Sequence, residues 1–473
     1  MKKDPAHTSP LMESLQQVIP VLPKPQKSSS RNKSRQSIAL ISVHGDPAIE
    51  VGGEEAGGQN VYVRQVGEAL AALGWKVDMF TRKSSADAPT IVQHSEHCRT
   101  IRLTAGPEAF VPRDELFQHL PEFVTGVEKY LQREHYPLIH TNYWLSSWVG
   151  LQLRQDFHFQ WLHTYHSLGV IKYQTTREIP PIGQTRLATE RQVLEQADRI
   201  VATSPQEQTH METLMSHRGA IEVIPCGTDI ESFQALPKAE ARQVLGWDPA
   251  DKIALYVGRF DRRKGIETLV RAASLLTDPQ FRLVIVGGCD PKKSDGAEYQ
   301  RIAGLVESLG LQDRVTFAGR VGHDRLPLYY AAANVCVVPS HYEPFGLVAI
   351  EAMACGTPVI ASDVGGLKFT VKSGKTGLLV LPQQERELAQ ALKRILGQPA
   401  WAAQLGQAAT QRVQQKFSWM GVAQQLSHLY RYLMAVSLMT ELPKRSGQSA
   451  RKALETAREA TSSSLSRSQV KLA

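Results

Sequence analysis

Two basic side chains in the segment "YVGRFDRRKG" are placed to bind an anion. Arg259 follows an apolar run typical of a buried strand, and Lys264 comes five residues later, where a helix is expected to begin. A guanidinium and an ammonium that reach the same crevice can hold a phosphate without a metal ion. The alternative is a solvated basic turn, which suits the intervening Arg262 and Arg263 better than the flanking pair.

Two glutamates flank a predicted helix start in the segment "SHYEPFGLVAIEAMACG". Glu343 lies in the loop after a buried strand, and Pro344 is expected to form the first helical turn, so the next three amides are free to donate to a ligand. Glu351 lies on the helix among apolar residues, where burying a carboxylate is costly unless ligand hydroxyls donate to it. In the alternative, Glu343 caps a turn and Glu351 is solvated.

Histidines and a lysine follow a third apolar run in "WLHTYHSLGVIK". We expect His163 to be a buried strand histidine and His166, before a Ser-Leu-Gly turn, to face a crevice together with Lys172. A structural role remains the alternative for any single histidine.

A glycine-rich loop runs from His44 to Gln59, and Gly57-Gly58 leads directly into a helical pattern. The first amides of that helix can face an anion or a sugar hydroxyl. The loop is too long for the dinucleotide-binding pattern G-x-G-x-x-G. It is equally consistent with a connection whose glycines only permit tight turns.

The elements that must position these residues form a repeated α/β pattern. Strands are predicted over 38–43 and 76–81, with a helix between them, which is a βαβ unit. The pattern restarts with strands over 252–257 and 281–286, a helix over 265–276, and further buried strands at 315–318, 335–339 and 358–361. We therefore predict two doubly wound domains with a hinge near 225–228 and a ligand between them.

The composition excludes several other classes. The net charge is +8, which suggests binding to a polyanion. However, residues 1–36 carry seven basic and two acidic side chains, and residues 441–473 carry seven basic and three acidic ones, so the body over 37–440 is −1. The five cysteines are odd in number and widely spaced, which indicates buried thiols in a cytoplasmic protein and neither disulfides nor a zinc site. No apolar run is long enough to span a membrane.

These segments together resemble the retaining, nucleotide-sugar-dependent glycosyltransferases of the GT-B fold, and among them the sucrose-phosphate synthase branch. The resemblance covers roughly residues 37–440 and rests on "EAGGQNVYVRQ", "TYHSLG" with Lys172, "VGRFDRRKG", the Glu343–Glu351 spacing and the closing stretch "FSWMGVAQQLSHLYRYL". It implies two Rossmann-like domains across a substrate cleft. The N-terminal one over 37–225 would bind the acceptor and be closed by a crossover helix over 417–440. The C-terminal one over 226–416 would bind the nucleotide sugar. We expect a mobile basic arm over 1–36 before the first domain and a flexible basic tail over 441–473 after the crossover helix.

The resemblance also implies roles for individual residues. His166, Glu343, Arg259 and Lys264 would be catalytic. Donor binding would fall to Gly58, Arg259, Lys264, Val321, Glu343, Phe345, Gly346, Leu347 and Glu351. Acceptor binding would fall to Gly57, Gln59, Arg113, Lys172 and Arg186. No cofactor and no metal would be required, because the two cations neutralise the donor diphosphate.

The implied reaction transfers glucose from UDP-glucose, or another nucleoside diphosphate glucose, to fructose 6-phosphate. Its product, sucrose 6-phosphate, would pass to a separate phosphatase, since no phosphatase-like segment follows residue 440. Sucrose synthases and inositol-phosphate glycosyltransferases share most of the motifs, and the pair Lys172 and Arg186 favours a phosphorylated acceptor. A different class of function is a peripheral membrane glycosyltransferase docked by its basic tails. Nucleic-acid binding and integral membrane association are not expected.

Overall fold

The computed structural model describes residues 35–49, 57–291 and 294–441, without the side chains at 294 and 439–441. The predicted arm over 1–36 and tail over 441–473 lie outside these residues, apart from positions 35, 36 and 441, and so does the stretch 50–56 of the glycine-rich loop. The described chain from Gln36 onward belongs to one compact unit.

The first sheet of the described chain has eight strands. They are β1 (Ser37–Ile41), β2 (Lys76–Arg82), β3 (Ile91–Ser95), β4 (Cys98–Leu103), β5 (Leu138–Asn142), β6 (Gln160–Thr164), β7 (Arg199–Ala202) and β8 (Ile221–Val223). Their order is β3-β4-β2-β1-β5-β6-β7-β8, with parallel pairs except for the antiparallel β3–β4 edge. The central strands β1, β2 and β5 are almost wholly buried, as expected of parallel strands that helices cover on both faces.

The second sheet has six strands within the described residues, all paired in parallel. They are β9 (Lys252–Val257), β10 (Phe281–Val286), β11 (Val315–Gly319), β12 (Val335–Val338), β13 (Val359–Ser362) and β14 (Gly377–Val380). The order β11-β10-β9-β12-β13-β14 is that of a doubly wound sheet. The prediction of two doubly wound α/β domains is therefore confirmed, and we call the units built on the two sheets the first and second domains.

Helices cover both sheets. They are α1 (Gly58–Ala72), α2 (Leu120–Leu131), α3 (Trp144–Asp156), α4 (Gly169–Thr176), α5 (Gly183–Gln196), α6 (Pro205–Leu214), α7 (Lys238–Leu245), α8 (Ile266–Ser274), α9 (Ser294–Ser308), α10 (Leu326–Ala332), α11 (Leu347–Ala354), α12 (Leu367–Thr370), α13 (Glu385–Leu396), α14 (Pro399–Lys416) and α15 (Trp419–Glu441). α8 shows the pattern that produces them, because Ile266, Leu269, Val270 and Ala273 form one buried face. Among the helices of the described residues, none is long and apolar enough to cross a bilayer.

The helix α15 leaves the second domain and packs on the first. The indole Nε1 of Trp75, just after α1, donates to Ser427 Oγ at 2.9 Å, and Tyr430 OH lies 2.6 Å from His140 Nδ1 on β5. Burial lowers the pKa of His140 to about 3, so this histidine is neutral at pH 7. The closing helix is thus fixed to the first domain by specific buried hydrogen bonds as well as by apolar packing.

Candidate active site

A cavity of about 1050 Å³ lies between the two domains, at the carboxyl ends of the central strands. Open parallel sheets bind ligands at this edge. The first domain contributes the loop after β1, the end of β2 and the segment before α2, while the second contributes the segment after β9 and residues of α9. The lining includes His44, Arg82, Phe110, Arg113, Arg259, Asp261, Arg263 and His341.

The second domain brings a lysine and a glutamate into direct contact. Lys264 ends the short helical turn that follows β9, and its Nζ lies 2.5 Å from Glu343 Oε2, although 79 residues separate them in the chain. Gly265 allows this approach, because its φ is +69° and a Cβ there would lie 2.0 Å from the carbonyl oxygen of Pro339. The two segments predicted to bind the donor therefore meet at one point.

The helix α11 begins later than predicted. Its first residue is Leu347 and its N-cap is Gly346, with φ +94°, so the expectation that Pro344 forms the first helical turn is wrong. Phe345 is buried against Phe417 with ring centroids 5.7 Å apart. The N-cap of α11 still lies close to Glu343, because a Cβ on Gly346 would be 3.6 Å from Glu343 Cγ. The carbonyl oxygen of Glu343 accepts from Gly366 N at 3.0 Å.

Glu351 already has protein partners. Tyr330 OH donates to its Oε2 at 2.8 Å, and His323 Nε2 lies 3.8 Å from its Oε1. Burial lowers the pKa of His323, but the hydrogen bond and charge of Glu351 outweigh it and leave that pKa raised. The alternative of a fully solvated Glu351 is wrong, since 12% of its side chain is exposed.

His166 is held in a strained backbone conformation. Its φ is +59°, which is costly for a residue with a Cβ. Its Nε2 lies 2.9 Å from Asn142 Oδ1, while the Asn142 amide nitrogen donates to the carbonyl of His140. Because Asn142 Oδ1 is thereby the acceptor, Nε2 carries the proton and Nδ1 is the ring's acceptor. Burial lowers the pKa of His166 to about 3, so the imidazole is neutral at pH 7.

The cations predicted to bind the acceptor lie beside the rings of Tyr143 and Tyr173. The guanidinium carbons of Arg113 and Arg186 lie 5.6 and 5.0 Å from its ring centroid. Lys172 Nζ lies 5.9 Å from the ring of Tyr173, which Arg186 also faces. Burial lowers the pKa of Lys172, as do nearby cationic side chains, while Tyr143 opposes them. Positive charge is therefore concentrated around Tyr143 and Tyr173, and of these three cations Arg113 lines the cavity.

Arg186 differs from the other two cations because it is 2% exposed. Its Nε donates to Glu190 Oε1 at 2.7 Å, and its terminal nitrogens donate to Tyr143 OH and to the Ser167 carbonyl. The structure thus places Arg186 beneath the site, with much of its donor capacity committed to the protein. Arg113 is exposed and Lys172 half-buried.

The start of α1 reaches across the cleft. A Cβ on Gly58 would lie 3.0 Å from Leu347 Cδ1 of the second domain. Gly57 N donates to Asn60 Oδ1 at 3.0 Å, and Gln59 Nε2 donates to Ser42 Oγ at 3.0 Å.

The predicted donor-binding residue Val321 lies further along the second domain. The side chain of Arg320 would lie 3.3 Å from a Cβ on Gly288, after β10, and Val321 is half-buried. The role of Val321 in donor binding stays a prediction.

Sequence reasoning missed several cavity residues. Arg263 was assigned to a solvated turn, which is wrong, because its half-buried guanidinium is paired with Asp261 and lines the cavity. Arg262 is exposed, as expected, and also lines the cavity. His44 was not singled out, although it closely follows β1, where sheet geometry predicts ligands; its buried Nδ1 has no hydrogen-bond partner among the described residues. Tyr143, with φ +71°, gave no sequence signal.

No group of three or more His, Cys, Asp or Glu side chains in the described chain is arranged to hold a metal ion. The expectation that the reaction needs no metal ion stays a prediction.

Comparison with known families assigns both domains. Residues 57–227 match the family described as Glycosyl transferase 4-like domain, and residues 237–412 match Glycosyl transferases group 1.

Individual relatives agree with this assignment. A sucrose-phosphate synthase structure from Thermosynechococcus elongatus is 58% identical, with a TM-score of 0.81 over 85% of this chain and 100% of that one. A D-inositol 3-phosphate glycosyltransferase of Rhodococcus opacus is 38% identical over 414 residues, 85% of this chain and 91% of the relative. An Anabaena protein solved with UDP and glucose is 21% identical, with a TM-score of 0.68 over 84% of this chain and 100% of that one. At that identity the likeness shows the fold alone.

Proposed function

Because the chain belongs to the glycosyltransferase group 1 family and has its GT-B fold, we propose that it transfers glucose from UDP-glucose, or another nucleoside diphosphate glucose, to fructose 6-phosphate. The products are sucrose 6-phosphate and the nucleoside diphosphate, and a separate phosphatase consumes the sugar phosphate. The choice of a phosphorylated acceptor rests on the group of cations around Tyr143. This group is distinct from the pair that Lys264 and Glu343 form in the second domain.

The donor is held by the second domain in this proposal. Arg259 and Lys264 neutralise the diphosphate, and Glu343 accepts hydrogen bonds from hydroxyls of the hexose. Burial in the cleft, and then the charges of Arg113 and Arg263, lower the pKa of Arg259, with Asp261 opposing them. The guanidinium is still charged at pH 7, so it can bind the phosphates of the donor.

The acceptor phosphate lies on the first domain, bound directly by Arg113 and Lys172. A sugar phosphate carries about −1.5 to −2 charge near neutral pH, which these two exposed or half-buried cations match. Arg186 holds the Ser167 carbonyl and the Tyr143 hydroxyl in place beneath them.

Transfer retains the configuration at the sugar carbon. The bond from C1 to the diphosphate oxygen breaks, and the bond from C1 to the acceptor oxygen forms on the same face. The acceptor's proton passes to the departing phosphate oxygen. Preorganised cations and helix-terminal amides stabilise the developing negative charge. The neutral His166 accepts from a donor-sugar hydroxyl through Nδ1 and does not act as an acid.

A donor-by-acceptor screen that measures release of the nucleoside diphosphate tests the proposal. We expect turnover with UDP-glucose and fructose 6-phosphate, and none with free fructose. Inositol phosphate is the second candidate acceptor, because the Rhodococcus opacus relative is named for it. Absence of any disaccharide phosphate refutes the assignment.

Charge reversal separates the acceptor classes. Lys172→Glu should abolish the use of phosphorylated acceptors, because the acceptor phosphate would then face a carboxylate. Lys129→Glu, an exposed reversal on α2, is the matched control. If Lys172→Glu leaves the KM for the phosphorylated acceptor unchanged, the phosphate site is wrongly placed.

A further inference from the structure

The side chain of Arg82, the last residue of β2, grips a neighbouring loop. One terminal guanidinium nitrogen donates to the carbonyl oxygens of Lys83 and Pro107, both at 2.9 Å, and the other donates to that of Ala109 at 2.5 Å. Arg82 is 4% exposed and lines the cavity between the domains. A rigid guanidinium that bridges two carbonyls of one loop fixes that loop's position relative to the sheet.

The same loop, residues 104–113, is held at two further points. Lys83 Nζ lies 2.8 Å from Glu108 Oε2, and Thr104 Oγ1 donates to Glu108 Oε1 at 2.7 Å. Gly106, with φ +66°, passes so close to α2 that a Cβ would overlap the His119 ring. Loop 104–113 is therefore fixed to β2 on one side and packed on α2 on the other.

The second half of loop 104–113 lines the cavity through Phe110, Val111 and Arg113. Phe110 lines the cavity and is 53% exposed, and Arg113, three residues later, lies over the ring of Tyr143. The carbonyl of Ala109 that Arg82 holds belongs to the residue directly before Phe110.

We propose that Arg82 is a positioning residue for acceptor binding, which acts by holding loop 104–113 so that Phe110 packs on the acceptor sugar ring and Arg113 reaches its phosphate. This inference rests on the proposed function for the identity of the acceptor. Arg82 acts through the loop because its terminal nitrogens donate to backbone carbonyls and its side chain is buried. Phe110 supplies an apolar face to the acceptor ring, a contact that the sugar's C–H groups can make.

The test compares KM values for the two substrates in Arg82→Met. We expect the acceptor KM to rise roughly tenfold or more, because a misplacement of about 1 Å can cost on the order of a hundredfold. The donor KM should stay within about twofold of the wild-type value, because the effect of Arg82 is expected on acceptor binding alone. Arg82→Lys, which can hold one carbonyl, should fall between Arg82→Met and the wild type.

Arg242→Met is the matched control. Arg242 is also 4% exposed and also donates to backbone carbonyls, those of Asp248 and Pro249 in a loop and of Ala332 at the end of α10, away from the cavity lining. Its loss should lower the unfolding temperature and leave both KM values unchanged. If Arg82→Met behaves in the same way, Arg82 has only a structural role and the inference fails.

A double-mutant cycle with Arg113→Met then distinguishes direct from indirect action. If Arg82 acts through the loop, adding Arg82→Met to Arg113→Met should raise the acceptor KM by a smaller factor than it does in the wild type, since contacting residues are not additive. Equal factors refute the inference. All these measurements use whichever acceptor the wild type turns over, so failure of fructose 6-phosphate as the substrate overturns the proposed function without deciding the role of Arg82.

Discussion

Replacing Arg186 with methionine separates a structural role from phosphate binding. The ion pair between Arg186 Nε and Glu190 Oε1 spans 2.7 Å, and the two side chains are 2% and 1% exposed. Removing one partner of a buried ion pair costs about 3–5 kcal/mol, because the other charge is left uncompensated. The lost donors to Tyr143 OH and the Ser167 carbonyl add to this, at about 1 kcal/mol each. We therefore expect Arg186→Met to lower the free energy of unfolding by at least about 3 kcal/mol.

Urea unfolding followed by the fluorescence of the seven tryptophans measures this change. Arg191→Met is the control, because Arg191 lies on the same helix with its side chain 67% exposed, 3.5 Å from Glu195. It should change stability by less than about 0.5 kcal/mol. The double variant Arg186→Met/Glu190→Gln no longer buries the unpaired carboxylate of Glu190. Its free energy of unfolding should therefore be at least about 2 kcal/mol higher than that of Arg186→Met alone.

The opposite result would refute the placement of Arg186 beneath the site. That result is a stability change below about 1 kcal/mol together with a large rise in the acceptor KM. Arg186 would then contact the acceptor phosphate directly, as the family resemblance implied.

Three further outcomes are expected. Lys264→Met should lower kcat/KM by about 10²–10³, the scale for removing one preorganised electrostatic contact; nucleotide-release kinetics within threefold of wild type would contradict the pairing with Glu343 as a donor site. Gly265→Ala should destabilise more than Gly246→Ala in urea, because both have positive φ near +68° but only at Gly265 does a Cβ meet the Pro339 carbonyl; equal losses would show that the Pro339 carbonyl does not matter. The free energy of unfolding should fall as the pH drops below about 6.5, by up to about 1.4 kcal/mol per pH unit for each buried neutral histidine. The reason is that burial lowers the pKa of these histidines in the folded state, while the unfolded chain binds protons near pH 6.5. An unfolding temperature that is flat or rising from pH 7.5 to 5.5 would contradict this. These histidines are His44, His140, His163 and His166.

The sequence was most informative where chemistry follows a regular strand. β9 and β10 have the predicted bounds, and Lys264 lies, as the sequence indicates, in the short segment between β9 and α8. The contact of Lys264 with Glu343 could not be predicted, because no local pattern shows that the segments after β9 and β12 converge.

Environment was the part that the sequence could not supply. Arg113, Lys172 and Arg186 all look like surface cations in the sequence, and only tertiary packing makes one of them buried and committed to Glu190. Likewise, Arg263 is indistinguishable from Arg262 in the sequence, and only the fold leaves the first 27% exposed beside Asp261 and the second 80% exposed, although both line the cavity. In the same way, α11 begins three residues after Pro344 because Gly346 adopts a φ of +94°, which lies outside the helical region.

The closing helix has a consequence for how the protein is made. Trp75 bonds to Ser427 across 352 residues, and His140 to Tyr430 across 290. While the ribosome is still synthesising the second domain, the first domain lacks the helix that covers this face. The apolar surface around α1 therefore stays exposed until residues 419–434 have been synthesised. Nascent chains that end before residue 419 should accordingly be more prone to aggregation or chaperone capture than the full chain, even though all eight strands of their first sheet are present.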